Sequence, residues 1–536
     1  MLLVKLLGFL EASALATALG GERTEGQDKI SDPVSEFLPR AKVFPRDDGT
    51  PDYGCSKTKP CKIGCCGPLD ANGHGFCGAG PKFCSPGACT SQCDWKSECD
   101  PGWGSQWSKS SKCPLNVCCS PFGFCGTTQD FCQGKQVASP ECAVSQRTSD
   151  KRTVGYYEGW NLQRSCGQMT PEEIPRGYYT HINFAFALIH PKTFCIAPMN
   201  SETPKLYDRV TQLKSSQPDL QVWIAIGGWA MNDPGPYRTA FSGMTRTDAS
   251  QDAFFESLVT FMFQHNFDGV DIDWEASRAQ INAYFQYPVA DDRGGVKEDF
   301  DNYARMLRRL RERLNRSGKR FGISIAIPAS YWYLRGFNLK ELEPSIDWFN
   351  VMTYDIHGTW DSKVKSIGSF AYAHTNLTEI NNGLELLWRN NVNPDRINLG
   401  LGFYGRSFTM ADPGCISPGC PFKKSTGAGA GRCTGTPGVL SAAEINSIIK
   451  NGAKQIFIEK DAVQIVTWNQ DQWVSWDDAK TLKLKQDFAN RRCLGGTMVW
   501  AIDLDDGTLI NQLGSNLNRP KAVVYNETAY MCRLGT

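Results

Sequence analysis

Beyond Met1–Ala18 the chain has no apolar run long and charge-free enough to cross a bilayer. It also lacks any long block of one charge sign: 57 Lys and Arg stand against 56 Asp and Glu, a net charge of +1. Neither absence leaves a hydropathic or electrostatic case for a membrane or nucleic-acid partner. Missing too are Cys-x2-Cys pairs at zinc-ligand spacing, so the cysteines do not read as a zinc site. A chain of 536 residues still exceeds one ordinary domain.

What the chain has is cysteine, unevenly spread. Of 22 cysteines, 15 lie between Cys55 and Cys142; the other seven are Cys166, Cys195, Cys415, Cys420, Cys433, Cys493 and Cys532. That density predicts a disulfide scaffold made in an oxidising compartment. Both counts are odd, so either one bridge crosses between the segments or each segment keeps a free thiol. Lys5, the apolar run after it and Ala16-Thr-Ala18 predict a secretory signal peptide over 1–18, although Glu11 interrupts the run. Three glycosylation sequons, at Asn315, Asn376 and Asn526, fit an extracellular location. A polar leader follows over 19–54, the cysteine-rich region over 55–142, and a polar linker over 143–152.

From Thr153 short apolar runs alternate with helical patterns such as Ala253–Phe267 and Phe300–Leu314. The runs are Val154–Tyr157, His181–Leu188, Val222–Ile226, Gly269–Trp274, Gly322–Ile327, Trp348–Thr353, Ile397–Phe403 and Thr497–Ile502. Eight such runs predict an α/β fold, a (β/α)8 TIM barrel over 153–512 with its active site at the strand C-termini. The gap before the eighth run predicts a small α+β insertion over about 409–494. A C-terminal tail occupies 513–536.

The fourth run carries the strongest chemical signal. In Asp268-Gly-Val-Asp271-Ile-Asp273-Trp-Glu275, apolar side chains alternate with carboxylates, so one strand face holds three acids. Burying like charges together is costly and raises some of their pKa values, which suits Glu275 to carry a proton at neutral pH. A solvated acidic loop would not interleave Val, Ile and Trp. A divalent-metal site would want a nearby His or a second carboxylate cluster, and neither is present.

Asp268-x-x-Asp271-x-Asp273-x-Glu275 resembles the signature of family-18 glycoside hydrolases, the chitinases and their relatives. Met352-Thr-Tyr354-Asp355 is similar to a second element of that family. The resemblance implies substrate-assisted retaining hydrolysis of N-acetylglucosamine polymers, without metal or cofactor. It assigns Glu275 as general acid/base, with Asp273 and Tyr354 orienting the substrate acetamide. Asp271 would share a proton with Asp273, and Asp268 would support the strand end. Tyr156, Trp229, Met352, Asp355, Tyr404, Arg406 and Trp500 are the expected sugar-binding residues. Two features depart from the pattern: Ala225 stands where the family usually has Ser, and residues 276–286 intervene between Glu275 and Tyr287-Pro288.

Cys113-x4-Cys118-Cys119-Ser120-Pro-Phe122-Gly-Phe124-Cys125-Gly126-x4-Phe131-Cys132 resembles a hevein-like chitin-binding module, over about 99–142. Too small for a core, such a module depends on bridges and leaves aromatics near the surface. Phe122, Phe124 and Phe131 are then expected to stack on N-acetylglucosamine, with Ser120 bonding an acetamide. An earlier stretch, Cys55 to Cys84, echoes the pattern: Phe76 and Phe83 align with Phe124 and Phe131, and Gly67 replaces the Ser. The whole resembles the killer-toxin-like fungal chitinases, which implies a secreted, monomeric enzyme whose partner is chitin. The rival expectation is a chitin lectin disabled by the 276–286 segment; a third, cleavage of N-glycan cores, is disfavoured by the chitin-binding module.

Overall fold

A computed structural model describes residues 54–134, 137–275, 295–364, 367–423, 427–519 and 521. The expected signal peptide, the leader to residue 53, the 276–286 segment and most of the tail lie outside the described residues. The chain divides into two units, one formed by the cysteine-rich residues up to Ala138 and one beginning at Ser139.

In the larger unit eight parallel strands close on themselves. They are β1 (Arg152–Glu158), β2 (His181–Ile189), β3 (Gln221–Gly227), β4 (Gly269–Asp273), β5 (Gly322–Pro328), β6 (Trp348–Met352), β7 (Ile397–Gly402) and, far along the chain, β13 (Gly496–Trp500). Each pairs with its neighbours in the order β1-β2-β3-β4-β5-β6-β7-β13, and β13 returns to β1. These strands are buried on both faces, which is why they read as apolar runs rather than as alternations. The helices α1 (Pro204–Thr211), α2 (Asp248–Gln264), α3 (Asp299–Asn315) and α4 (Leu377–Trp388) lie between them in sequence.

The barrel's interior is layered. At the N-terminal end, Trp223 and Trp348 stack with ring centroids 4.5 Å apart, and His181 packs edge-on to both. Gly269 and Gly322 make room for this plug, since a Cβ on either would lie within 2.6 Å of the Trp223 indole. Above it sits a polar layer around Asp271, and above that the strand C-termini. Asp268, just before β4, is held at the lower end by Lys214 at 2.8 Å and Lys319 at 3.0 Å.

Between β7 and β13 lies the inserted sheet: β8 (Tyr404–Thr409), β9 (Val439–Ser441), β10 (Lys454–Ile458), β11 (Val463–Trp468) and β12 (Gln472–Trp476). Its antiparallel order is β9-β8-β12-β11-β10, and α5 (Ala442–Lys450) follows β9. The inserted sheet therefore spans 404–476, where about 409–494 was expected. Phe408, Met410, Phe422, Ile465 and Trp473 form its own core. The next helix, α6 (Ala479–Arg491), belongs to the barrel and packs on α7 (Thr508–Asn516).

Residues 143–152, read as a linker, lie against α6: Ser149 is buried and donates from both its N–H and its Oγ to Asn490. The disulfide Cys142–Cys493 fastens this segment. It is the crossing bridge allowed by the two odd counts. Among the described residues ten disulfides form, and Cys195 is free.

The smaller unit carries three bridges in each of two stretches: Cys55–Cys66, Cys61–Cys77 and Cys65–Cys84, then Cys99–Cys119, Cys113–Cys125 and Cys118–Cys132. The small bridge Cys89–Cys93 stands between them. Little apolar material is buried here apart from sulfur and Trp95.

Candidate active site

Strand β4 sends Val270 and Ile272 outward to the helices, while Asp271 and Asp273 face the barrel interior and are buried. Trp274 completes the outward set, stacking on Phe241 at 5.1 Å and meeting Tyr303 edge-on at 5.0 Å. The upper end of β4 is fixed by close backbone approach. Gly228 N–H donates to the Asp273 carbonyl at 2.9 Å, and a Cβ on Gly227 would lie 2.1 Å from that oxygen. With φ at +118°, Gly227 holds a conformation other residues rarely adopt.

Asp271 is saturated with donors. Tyr156 Oη and Ser324 Oγ each donate at 2.6 Å, and Asn350 Nδ2 donates at 3.0 Å. Burial pushes the Asp271 carboxyl above the ordinary carboxylate range, and the bonds from Ser324, Tyr156 and Asn350 oppose that rise. A chain of polar contacts continues downward: Asn398 donates to Asn350 Oδ1 at 2.9 Å, and Arg152 Nε donates to Asn398 Oδ1 at 3.0 Å. The two residues opposite Asp271 in the sheet are Ala225 on β3 and Ser324 on β5. Ala225 offers no hydroxyl; Ser324 supplies one from the other side.

Tyr354 gathers the acids. Its phenol is raised well above the ordinary value first by burial and then by the negative charges of Asp273, Asp355, Glu275 and Asp271. Its hydroxyl donates to Met498 Sδ at 3.6 Å. Glu275 lies two residues beyond the end of β4 and is partly exposed, whereas Asp273 is buried.

Asp355 sits in the left-handed region, φ +57°, an uncommon place for a residue other than glycine. Tyr404 Oη donates to it at 2.5 Å and Arg406 Nε at 2.7 Å. Burial is the largest influence and would raise the Asp355 carboxyl, but the Arg406 charge, the hydrogen bonds from His374 and Arg406 and the His374 charge together outweigh it and hold the group far below the usual range. Tyr404 and Arg406, expected to bind sugar and following straight after the seventh run in the sequence, are on β8, the first strand of the insertion. The inserted sheet thus contributes to the barrel mouth.

Trp500 ends β13 with its ring beside three others. Tyr156 is 5.3 Å away and Phe186 5.7 Å, nearly parallel, while Trp160 lies at 6.3 Å. Tyr156, expected to touch sugar, lies under Trp500 and is only 2% exposed; its hydroxyl is engaged by Asp271. Trp229 and Met352 are half-buried at the strand ends. In the smaller unit Phe122, Phe124 and Phe131 are half-buried. Ser120 is buried, and its Oγ accepts from Phe124 N–H at 3.1 Å. An accepting hydroxyl keeps its own proton to donate.

Sequence reading missed Ser324, Asn350, Asn398, Trp160 and Phe186. The three polar residues had a signal: each interrupts a buried apolar strand (Ile-Ser-Ile, Phe-Asn-Val, Ile-Asn-Leu). Also missed was the cluster of Glu158 and Asp503 about Arg164, whose Nη1 lies 2.8 Å from Asp503. Burial and then Asp503 push the Glu158 carboxyl up to about 8. Through Glu158 N–H, which donates to Asp503 at 3.0 Å, the cluster ties the end of β1 to the segment just after Trp500.

Comparison with known proteins covers both units. Residues 152–505 match the family described as glycosyl hydrolases family 18, and residues 103–142 match that described as chitin recognition protein. A probable chitinase of Penicillium expansum is 33% identical over 439 residues, covering 75% of this chain and 29% of that protein. The killer toxin subunits alpha/beta of Kluyveromyces lactis are 30% identical over 419 residues, covering 73% of this chain and 33% of the toxin protein. The chain therefore spans only a minor part of the length of these fungal relatives. Among solved structures, catalytic domain 2 of the Ostrinia furnacalis Group II chitinase superposes with a TM-score of 0.60 at 27% identity, covering 70% of this chain and 99% of that domain. A mutant of that domain, solved with a chitooligosaccharide, superposes with a TM-score of 0.59 at 28% identity, with the same coverage.

Proposed function

We propose, from the premise that this chain belongs to glycosyl hydrolase family 18, that it hydrolyses the β-1,4 bonds of N-acetylglucosamine polymers. The observation that carries the reading is the strand bearing Asp271 and Asp273, which runs into Glu275 beside Tyr354, with Trp500 packed on the Tyr156 that bonds Asp271. Acids on one face of a strand end, next to an aromatic floor, suit a pyranose whose glycosidic oxygen needs a proton.

In this reading the substrate supplies its own nucleophile. The acetamide oxygen attacks the anomeric carbon while Glu275 protonates the departing oxygen, and the glycosidic electron pair leaves with it. Asp273 accepts the acetamide N–H and steadies the cyclic oxazolinium cation, and Tyr354 directs its hydroxyl to the same group. Glu275, now a carboxylate, takes a proton from water; the water oxygen opens the ring intermediate with retention. Asp271, buried beneath, sets the charge that Asp273 feels, and its three donors hold it in place. Asp355, with Tyr404 and Arg406, and Trp229 and Met352 line the neighbouring sugar subsites. The Phe122, Phe124 and Phe131 face of the smaller unit holds insoluble chitin, which raises the local concentration of chains. Ten disulfides among the described residues support an extracellular place of work. Chitinase relatives of Penicillium expansum, one of them named as secreted, support it too.

The test is hydrolysis of chitooligosaccharides by the full chain beside Glu275→Gln, with retention of both on insoluble chitin. Loss of a general acid lowers the rate by about 10²–10⁴-fold, and retention should persist. Retention of both proteins without turnover in either would establish the lectin instead.

A further inference from the structure

The family match for chitin recognition begins at residue 103 and leaves the first cysteine-rich stretch unassigned. Its structure nevertheless repeats that of the second stretch bond for bond. Numbered within each stretch, the bridges join the first cysteine to the fourth, the second to the fifth and the third to the sixth in both. The hairpin registers agree: Cys65 faces Gly78 and Cys66 faces Cys77, as Cys118 faces Gly126 and Cys119 faces Cys125. Gly67 N–H donates to Phe76 O at 2.9 Å, as Ser120 N–H donates to Phe124 O at 2.8 Å. Each stretch closes with one short helical turn whose Phe covers a glycine of the hairpin, Phe83 over Gly78 and Phe131 over Gly126.

The longer interval between Cys66 and Cys77 does not disturb this register. Asp70 folds the extra residues into a closed turn, its carboxylate accepting from Asn72 N–H and His74 N–H, both at 2.9 Å. The chain re-enters the hairpin as His74-Gly75-Phe76-Cys77-Gly78, which falls on Phe122-Gly123-Phe124-Cys125-Gly126. His74 and Phe76 therefore occupy the places of Phe122 and Phe124, and both are exposed, Phe76 at 40%. Phe124 leans toward Trp95, with ring centroids 6.1 Å apart. The two stretches are packed together. Trp103, at the start of the matched residues, lies against Gly80 of the first stretch, where a Cβ would come within 2.7 Å of its ring. Trp95 packs between Cys65 and Cys84 of the first stretch and Phe124 of the second.

We propose that His74 and Phe76 form a second saccharide-binding face, in the same packed unit as the matched module, for β-1,4-linked N-acetylglucosamine chains. Gly67 removes the hydroxyl that Ser120 provides in the second module, so this face reads the sugar by ring stacking. Two faces on one packed body bind a crystalline surface more tightly than either alone. The inference rests on the chitin-directed reading of the chain.

The experiment measures depletion of the full chain by insoluble chitin in a Glu275→Gln background, which leaves the polymer uncut. The variants are His74→Ala/Phe76→Ala, Phe122→Ala/Phe131→Ala, their combination, and Phe76→Trp. Expected are a loss of roughly threefold to tenfold in affinity for the first pair, a further loss in the combination, and retained or tighter binding for Phe76→Trp. Unchanged binding by the first pair, alone and in the combination, overturns the second face while leaving the chitin-directed reading intact. Equal weakening by Phe76→Trp and the alanine pair also overturns it, because a larger stacking ring should not imitate its removal. Failure of the Glu275→Gln parent to bind chitin overturns both.

Discussion

The barrel and the cysteine-rich unit hold themselves together in opposite ways. In the barrel, apolar strands and helices bury residues such as Val154, Ile224, Ile272, Phe349 and Val499 completely, and that core is sufficient to enclose a charged layer around Asp271. In residues 54–134 the buried material is mostly cystine, with Trp95, and the Phe rings lie partly or largely outside. A large core can hold polar chemistry inside; a unit without one carries its functional groups on its surface.

Breaking the bridges tests that contrast most severely. Each bridge of so small a domain is worth about 2–5 kcal/mol, so reduction should unfold the cysteine-rich unit and abolish retention on insoluble chitin. The barrel, held by its core, should go on cleaving short chitooligosaccharides. Retention assays and limited proteolysis after thiol treatment would show this; simultaneous loss of both activities would sink the contrast.

A smaller effect lies inside the barrel's polar layer. Ser324→Ala removes one of three donors from a carboxyl already raised by burial. Its pKa should rise further, moving the acid limb of the rate profile to higher pH by about one unit, as expected for a hydrogen bond to a charged group. Adding Ala225→Ser, which places a hydroxyl opposite Asp271 from the other neighbouring strand, should move the limb back. An unchanged profile in Ser324→Ala would make that residue structural only.

The smallest effect is on stability. Burial alone would lower the pKa of His357, but hydrogen bonds to Asp361 at 2.7 Å and Glu379 at 3.0 Å raise it to about 10. A histidine raised in this way contributes stability that is complete below its ordinary pKa of about 6.5 and is lost as pH rises through about 10. The difference in Tm between the native chain and His357→Gln should therefore be largest in mild acid and shrink toward pH 10. A difference independent of pH would show that the pair acts through packing alone.

Much of the barrel was legible because parallel strands buried on both faces must be apolar along their length. The fourth run stood out because carboxylates interrupted it, and Asp271 and Asp273 share the inner face that alternation predicts. The helix read over Phe300–Leu314 is α3 at Asp299–Asn315. Tyr404 and Arg406 were identified, yet they stand on the inserted sheet. After Phe403 the chain stays extended, and nothing local marks its transfer from one sheet to another. Tyr156 was expected as a sugar contact from the family resemblance; its depth depends on Trp500, which comes far later in the chain.

By itself the sequence determined the period of the strands, the acids on one face of the fourth, and a cysteine density that only bridges could satisfy. These are local properties, set by side-chain alternation and composition. Tertiary structure alone decided that Ser324 donates a hydroxyl to Asp271 from the strand opposite Ala225, that Cys142 pairs with Cys493, and that two cysteine stretches of different length share one register. Each of these joins residues distant in the chain, and such a pairing exists only once the sheet has closed and the hairpins have formed.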